Sequence, residues 1–204
     1  MVTAMVKVKF CGLKQVCDVQ WANRLRPDYA GFVFAGKKRR ISFVEAAELR
    51  RILDDRIPAV GVFVDATMEY IEKAVRAASL SMIQLHGHED DVYIQALHQK
   101  LGLPVVKAFS IEREEDVERA NRSAAHYVLV DHGPGGTGKA FDWSCLRKMK
   151  RPYFLAGGLT ADNVRQALAL HPFALDVSSG IERDGAKDYD KMKQFLAAVR
   201  QQEE

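Results

Sequence analysis

The sequence predicts an α/β protein that folds as a single (β/α)8 TIM barrel over residues 1–204. Short runs of β-branched and aromatic residues alternate strictly with amphipathic helical patterns, and such alternation is typical of parallel strands. Several of these runs are apolar on consecutive residues, as in strands that are buried on both faces. The unit of strand, loop and helix occurs eight times, and eight parallel units close naturally into a barrel.

The strands are predicted where short runs of β-branched, aromatic and other apolar residues are bounded by turn-forming residues. In the first run, Val6, Val8 and Phe10 alternate with Lys7 and Lys9, which is the pattern of a half-buried strand. The eight segments lie at 6–10, 29–34, 58–64, 81–86, 104–109, 126–131, 152–157 and 173–178.

The helices are predicted between the strands, where apolar residues recur at helical spacing. Ser42 is the expected N-cap of one helix, with Glu45 three residues later to complete a capping box. Thr160 is the expected N-cap of another helix. The clearest patterns lie at 42–55, 91–101, 160–170 and 188–200, and a short helix is expected at about 143–149.

A doubly wound open sheet is the main alternative to the barrel. That fold usually has fewer strands and often carries a glycine-rich phosphate loop after the first strand. The stretch that follows the first strand here, "CGLK" at 11–14, does not match the G-x-G-x-x-G pattern of such a loop. The sequence therefore favours the barrel.

The composition is that of an ordinary globular protein, with 48% apolar residues, 28% charged residues and a net charge of +3. This charge is too small to indicate nucleic acid or an anionic membrane as the main partner, but a local basic cluster can still bind an anionic small molecule. No apolar run approaches the roughly 20 residues of a membrane span. The N-terminus lacks the apolar core of a signal peptide, so a cytoplasmic location is expected.

The chain has three cysteines, which lie at positions 11, 17 and 145. An odd number without a C-x-x-C pair argues against a disulfide framework and against a zinc site. The histidines are scattered, and His86 and His88 form the one close pair without acidic or cysteine partners at metal-binding spacing. We therefore expect no metal site.

The candidate site residues follow the strands, because barrel enzymes carry their chemistry in the loops after the strands. Cys11 follows the first strand, Lys37–Arg40 the second and His86 the fourth, while Asp131 ends the sixth and Asp176 lies in the eighth. Partial shielding from water suits the carboxyl group that ends the sixth strand to donate a proton. Each of these residues also has a purely structural interpretation, such as an inert buried thiol, a loop cap or a solvated charge run.

Two glycine-containing turns are candidates for phosphate binding. Gly157 and Gly158 follow the seventh strand, and Ser178, Ser179 and Gly180 follow the eighth. The loops after strands 7 and 8 often bind phosphate in such barrels. These glycines could instead serve only to make tight turns.

A third glycine-rich segment, "GPGGTGK" at 133–139, resembles a nucleotide-binding loop only superficially. Ala140 stands where that loop needs a hydroxyl group for magnesium. We expect this segment to form a lid over the mouth of the barrel.

Taken together, these stretches resemble the phosphoribosylanthranilate isomerases of tryptophan biosynthesis over nearly the whole chain. The order and spacing of the segments carry the resemblance, since no single segment is specific. The segments are "VKFCGLK" (8–14), "GFVF" (31–34), "KKRRIS" (37–42), "VGVFVD" (60–65), "IQLHG" (83–87), "LVDHGPGGTGKAFDW" (129–143), "LAGGLTADNV" (155–164) and "DVSSGIERDGAKD" (176–188).

The resemblance implies an Amadori rearrangement of N-(5-phosphoribosyl)anthranilate without a cofactor, in which Cys11 is the general base and Asp131 the general acid. It implies that Arg39 holds the anthranilate group, although Lys37 replaces the serine that the family often has in this loop and Arg40 is an alternative. The same resemblance implies a phosphosugar substrate, bound at its phosphate by Gly157, Gly158, Ser178, Ser179 and Gly180.

Two further residues, His86 and Asp176, are predicted to contact the substrate. The expected assembly is a monomer or a homodimer. A thiol with a pKa near 8.5 is a poor base at neutral pH, so the pKa of Cys11 is expected to be lowered by a nearby positive charge. Lys7 and Lys9 are the candidates for that charge.

Other barrels remain as alternatives. The isomerase of the histidine pathway typically has an aspartate in place of Cys11, and an indole-glycerol phosphate synthase would need a catalytic lysine in its first strands and an N-terminal extension. A non-catalytic phosphosugar-binding barrel is a further alternative, but a decayed enzyme should have lost its acid or its base.

Overall fold

Eight parallel strands, β1 to β8, form a closed barrel in the order of the sequence. The computed structural model describes residues 5–131 and 143–201. The predicted (β/α)8 class is confirmed, and each predicted strand is found within about two residues of its predicted ends. The strands are β1 Lys7–Cys11, β2 Tyr29–Val33, β3 Ala59–Phe63, β4 Met82–Leu85, β5 Val105–Ser110, β6 Tyr127–Asp131, β7 Tyr153–Leu155 and β8 Ala174–Val177.

The helices cover the outside of the barrel. The predicted short helix is a 3-10 helix at Trp143–Lys148, and the predicted lid at 133–139 lies outside the described residues. The α-helices are α1 Val16–Leu25, α2 Phe43–Ile52, α3 Met68–Ala78, α4 Asp91–Leu101, α5 Glu114–Arg122, α6 Val164–Leu168 and α7 Tyr189–Arg200.

Polar side chains at the N-termini determine where several helices begin. The predicted capping box of α2 is present, since Ser42 Oγ accepts a hydrogen bond from the Glu45 backbone and the Glu45 carboxylate accepts one from the Ser42 backbone. The predicted cap at Thr160 is wrong, because α6 begins only after Asn163. The Asn163 side chain accepts from the Thr160 N–H and donates to the Gly158 carbonyl, so residues 160–163 are held in a turn.

The register of β1 determines which side chains enter the barrel. Lys9 pairs with Asp176 of β8, and Cys11 pairs with Gly31 of β2. Because side chains alternate along a strand, the lysine face of β1 points into the barrel interior, and Val8 and Phe10 pack towards the helices. The half-buried pattern predicted for β1 is therefore wrong, since Lys9 is buried as fully as Val8 and Phe10.

Apolar side chains from the amino-terminal halves of the strands fill that end of the barrel interior. The interior is therefore packed at this end, and the polar side chains lie at the carboxyl ends of the strands. The buried residues of this cluster are Tyr29, Val60, Met82, Val106, Leu129, Phe154 and Ala174.

An antiparallel strand pair follows β8 and was not predicted. A one-turn 3-10 helix at Ser179–Ile181 leads into β9 Glu182–Arg183, which pairs with β10 Ala186–Lys187. The pair brings Glu182 and Lys187 to the mouth of the barrel. In residues 5–131 and 143–201, no helix is both long enough and apolar enough to cross a membrane.

Candidate active site

An open cavity of about 1050 Å³ occupies the carboxyl end of the barrel. Side chains and turns from strands on all sides of the barrel line it. All the predicted site residues except Gly180 contribute to its walls, namely Cys11, Arg39, His86, Asp131, Gly157, Gly158, Asp176, Ser178 and Ser179.

The predicted base, Cys11, ends β1 as a free thiol that is 8% exposed. Its backbone carbonyl accepts a hydrogen bond of 3.0 Å from Ser178 Oγ, which joins the end of β1 to the turn after β8. A Cβ atom at Gly31 would lie 3.0 Å from the Cys11 sulfur, so the glycine on the neighbouring strand leaves room for the thiol. The thiol therefore sits in a closely packed part of the cavity floor.

Lys9 lies beside the thiol and carries its charge inside the barrel. Its Nζ atom donates to Asp176 Oδ2 at 2.9 Å and to Gln84 Oε1 at 2.8 Å. Burial alone would lower the pKa of Lys9, but the negative charge of Asp176 and then that of Cys11 raise it above its usual value. The ammonium form is thus stable in the interior.

The pKa of Cys11 is raised, so the predicted lowering is wrong for the protein without substrate. Burial is the largest cause and the negative charge of Asp176 is the next, while Lys9 and Lys187 act in the opposite direction. The predicted positive charge is present, but the carboxylate that pairs with Lys9 offsets its effect. The other candidate, Lys7, lies at the opposite end of the barrel over the ring of Phe173.

The predicted acid, Asp131, ends β6 and lies beside His86 in the cavity wall. Asp131 Oδ2 lies 3.5 Å from His86 Nε2, and both side chains are about one-third exposed. His86 Nδ1 lies 3.2 Å from the amide nitrogen of Gln84. A carboxyl group at this position can reach both solvent and a ligand in the cavity.

Arg39 lines the cavity, whereas Arg40 is exposed and pairs through its backbone with Val33. The Arg39 guanidinium forms a two-point pair with Glu182, with Nε–Oε1 at 2.6 Å and Nη2–Oε2 at 2.8 Å. The Arg39 side chain crosses Gly12, where a Cβ atom would lie 2.5 Å from Arg39 Cδ. The structure therefore distinguishes the two arginines by position.

Glu182 is held as a carboxylate by two cations. Burial would raise its pKa, but hydrogen bonds from Arg39 and Lys187 lower it to about 2. Lys187 Nζ donates to Glu182 Oε1 at 2.8 Å and to the Ser178 carbonyl at 3.0 Å. The β9–β10 pair thus fixes both Arg39 and the turn after β8.

The two candidate phosphate turns approach each other closely. Gly157 and Gly158 have φ angles of 90° and 61°, which favour glycine. A Cβ atom at Gly180 would collide with the carbonyl oxygen of Leu159, so only glycine allows the turn after β8 to pack on the turn after β7.

Sequence reasoning missed Gln84, Glu182 and Lys187 as site residues and treated Lys9 only as a candidate charge. Lys9 and Gln84 each lie two residues before a predicted site residue on the same strand, so the two-residue period of β-structure was the available signal. For the other two, the signal was Asp184-Gly185, a dipeptide typical of two-residue hairpin turns. Among the described residues, no group of three or more His, Cys, Asp or Glu side chains is arranged to hold a metal ion.

Comparison with known proteins identifies the family. The profile of the N-(5'-phosphoribosyl)anthranilate (PRA) isomerase family matches residues 8–198. The chain belongs to the phosphoribosylanthranilate isomerase family. The N-(5'-phosphoribosyl)anthranilate isomerase of Endomicrobium trichonymphae is 42% identical over 201 residues, which cover 96% of this chain and 99% of the relative.

Two crystal structures of phosphoribosylanthranilate isomerases are closely similar to this barrel. One shows monomers of the dimeric enzyme from Thermotoga maritima, with a TM-score of 0.86 and 36% identity over 97% of this chain and 100% of that chain. The other shows a phosphoribosylanthranilate isomerase with reduced 1-(o-carboxyphenylamino)-1-deoxyribulose 5-phosphate, with a TM-score of 0.85 and 34% identity over the same shares. The resemblance inferred from the sequence is confirmed, and the chain is an isomerase of tryptophan biosynthesis.

Proposed function

We propose that the chain converts N-(5-phosphoribosyl)anthranilate into 1-(2-carboxyphenylamino)-1-deoxyribulose 5-phosphate by general acid–base catalysis. The observation that carries the proposal is that a carboxyl group, Asp131, and a thiol, Cys11, line the same cavity from strands on different sides of the barrel. An intramolecular rearrangement of this kind needs one acid and one base, and involves no net redox change.

Asp131 acts as the acid in the first step. Its proton moves to the furanose ring oxygen, the bond between that oxygen and C1 breaks, and the nitrogen lone pair forms the double bond of a Schiff base. The position of Asp131 at the end of β6 supports this step, because its carboxyl group is partly shielded and reachable from the cavity.

Cys11 acts as the base in the second step. Its thiolate removes the proton from C2, and the electron pair moves into an enolamine that tautomerises to the ketone. Because the pKa of Cys11 is raised, only a minor fraction of the free protein carries the thiolate at neutral pH. The ammonium group of Lys9 stabilises the thiolate when it forms.

Other cavity residues bind the two ends of the substrate. Within the described residues only Nε and Nη2 of Arg39 are paired with Glu182, which leaves Nη1 for the anthranilate carboxylate. The buried Oδ1 atom of Asp176 has no hydrogen-bond partner in residues 5–131 and 143–201, so it can accept a hydrogen bond from a sugar hydroxyl. His86 lies beside the acid and contacts the ribosyl group.

The phosphate lies between the two turns at Gly157–Gly158 and Ser178–Gly180. Backbone N–H groups in such turns bind phosphate without a charged side chain. The close packing of Gly180 on the neighbouring turn supports a shared site. A monomer or homodimer and a cytoplasmic location remain the predicted context of this activity, as does the absence of a cofactor.

The activity is tested with purified protein and N-(5-phosphoribosyl)anthranilate. We expect the anthranilate fluorescence of the substrate to fall faster than in a sample without protein, and a substrate labelled with ¹³C at C2 to give a ketone signal in the product. Fluorescence that falls only at the rate without protein would contradict the proposal. That result would favour a phosphosugar-binding barrel without catalysis.

A further inference from the structure

A chain of polar side chains crosses the barrel beneath the cavity and joins the base side to the acid side through two hydrogen bonds and one polar contact of 3.5 Å. Lys9 Nζ donates to Gln84 Oε1 at 2.8 Å, and Gln84 Nε2 lies 3.2 Å from His86 Nδ1. His86 Nε2 lies 3.5 Å from Asp131 Oδ2. Gln84 is the central member of this chain and is only 2% exposed.

The chemistry of the neighbours determines how the Gln84 amide is oriented. A lysine ammonium group has donors and no acceptor, so the amide atom that faces Lys9 must be the oxygen. The amide nitrogen then faces His86 and donates to Nδ1. A flipped amide would place two donors face to face at Lys9, which leaves a buried ammonium N–H without an acceptor.

The orientation of Gln84 in turn determines the tautomer of His86. Because Nδ1 accepts a hydrogen bond, the imidazole proton lies on Nε2. Nε2 is the ring nitrogen on the side of Asp131, whose Oδ2 lies 3.5 Å away.

Gln84 also holds Lys9 in place. The Lys9 ammonium has three N–H donors. Asp176 and Gln84 take two of them, and the Lys9 side chain lies beside the thiol, since a Cβ atom at Gly31 would lie 3.0 Å from Cys11 Sγ and 3.2 Å from Lys9 Cε. Without Gln84, one buried donor of Lys9 would lose its acceptor and the ammonium could shift away from the thiol.

We propose that Gln84 is a positioning residue for both sides of the site. It holds Lys9 beside Cys11 on the base side, and it fixes the Nε2–H tautomer of His86 beside Asp131 on the acid side. The catalytic consequence rests on the proposed function. The tautomer of His86 does not, because it follows from hydrogen bonding alone.

The first arm of the test reads the tautomer by ¹⁵N NMR of histidine-labelled protein, with the His86 signals assigned by their loss in His86→Gln. We expect protonated Nε2 and unprotonated Nδ1 in the natural protein. In Gln84→Glu a carboxylate faces Nδ1 and requires a proton there, so we expect Nδ1 to become protonated. Exposed Gln95 on α4 provides the matched control, and Gln95→Glu should leave the spectrum of His86 unchanged.

The second arm measures kinetics in Gln84→Met, which keeps the approximate volume of the side chain and removes both hydrogen bonds. We expect kcat to fall by about 10- to 100-fold, as for other supporting residues around reactive groups, with KM changed less than about twofold. A fall in kcat with constant KM indicates lost transition-state interactions. Circular dichroism checks that each variant is folded.

Protonated Nδ1 in the natural protein, or a His86 spectrum that does not change in Gln84→Glu, would overturn the proposal even if Gln84→Met fails to fold. An unchanged kcat in folded Gln84→Met would also overturn it. An inactive natural protein with the expected tautomer would overturn the proposed function instead and leave the hydrogen-bond assignment supported.

Discussion

Nζ of Lys9 lies 2.9 Å from Oδ2 of Asp176 inside the barrel, and the two side chains are only 1% and 6% exposed. This pair places one positive and one negative charge next to the Cys11 thiol. Asp176 raises the pKa of Cys11 and Lys9 lowers it, so removing one charge should leave the effect of the other uncompensated.

Substitution of Asp176 by asparagine should lower the pKa of Cys11. The carboxylate of Asp176 is the second cause of the raised pKa, and the variant keeps the positive charge of Lys9. The pKa is measured from the thiolate absorbance at 240 nm during a pH titration. Asp184 is exposed, and Asp184→Asn should leave the titration unchanged. An unchanged or higher pKa in Asp176→Asn would contradict this arrangement of charges.

The alkylation of Cys11 by iodoacetamide should become faster as pH rises beyond neutrality. A thiol whose pKa is raised holds its proton to higher pH, so the reactive thiolate is lost as pH falls through that raised value. We expect the midpoint of the alkylation rate of Cys11, followed by mass spectrometry of its peptide, to lie above the ordinary thiol pKa of about 8.5. An alkylation rate that is already constant between pH 6 and 7 would contradict the raised pKa.

Substitution of Arg39 by alanine should raise KM by about 10-fold or more with a smaller effect on kcat, because a charge-assisted hydrogen bond to a ligand carboxylate contributes about 1.5–3 kcal/mol. Arg40 is the matched control, since it is exposed and does not line the cavity. Steady-state kinetics on both variants distinguish them. A higher KM for Arg40→Ala with an unchanged KM for Arg39→Ala would transfer the anthranilate contact to Arg40.

Substitution of Glu182 by glutamine should destabilise the fold at neutral pH by about 3 kcal/mol, because removing one partner of a buried ion pair leaves the other uncompensated. The folded pKa of Glu182 is lowered to about 2, so its stabilisation is complete above its unfolded pKa and is lost as pH falls towards 2. The difference in unfolding free energy should therefore shrink below about pH 4, the region of an unperturbed glutamate pKa.

Urea unfolding of both proteins between pH 3 and pH 8 measures that difference. Glu48→Gln on the exposed face of α2 is the control and should change stability little at any pH. A difference between Glu182→Gln and the natural protein that stays constant down to pH 3 would contradict the ion pair.

The convergence of the site residues could be predicted because the carboxyl ends of parallel strands meet at one end of a barrel. Cys11, Asp131 and Asp176 were therefore expected together, and all three line the cavity. Lys9 was misjudged, because alternating lysines on a strand usually indicate a solvent-facing side. In a barrel that side is the interior, where only the closure of the sheet brings Asp176 and Gln84 within reach of the ammonium.

Two features of the site could not be predicted from the hydrophobic patterns of helices and strands, namely the start of α6 and the pair of Glu182 with Arg39. Thr160 has the sequence context of an N-cap, but the hydrogen bonds of the Asn163 side chain hold residues 160–163 in a turn. The helix therefore begins only at Val164. Glu182 and Arg39 are 143 residues apart in the sequence, and the β9–β10 hairpin brings them together. No local pattern in the sequence predicts a contact over that distance.

The most direct test of the central claim is the turnover number of Cys11→Ala beside that of Cys17→Ala. Loss of the general base should reduce kcat by about 10²–10⁴-fold while circular dichroism shows a folded barrel. Cys17 lies on α1 outside the cavity lining, so Cys17→Ala should retain nearly the natural rate. A folded Cys11→Ala protein with a near-natural kcat would contradict the assignment of Cys11 as the base.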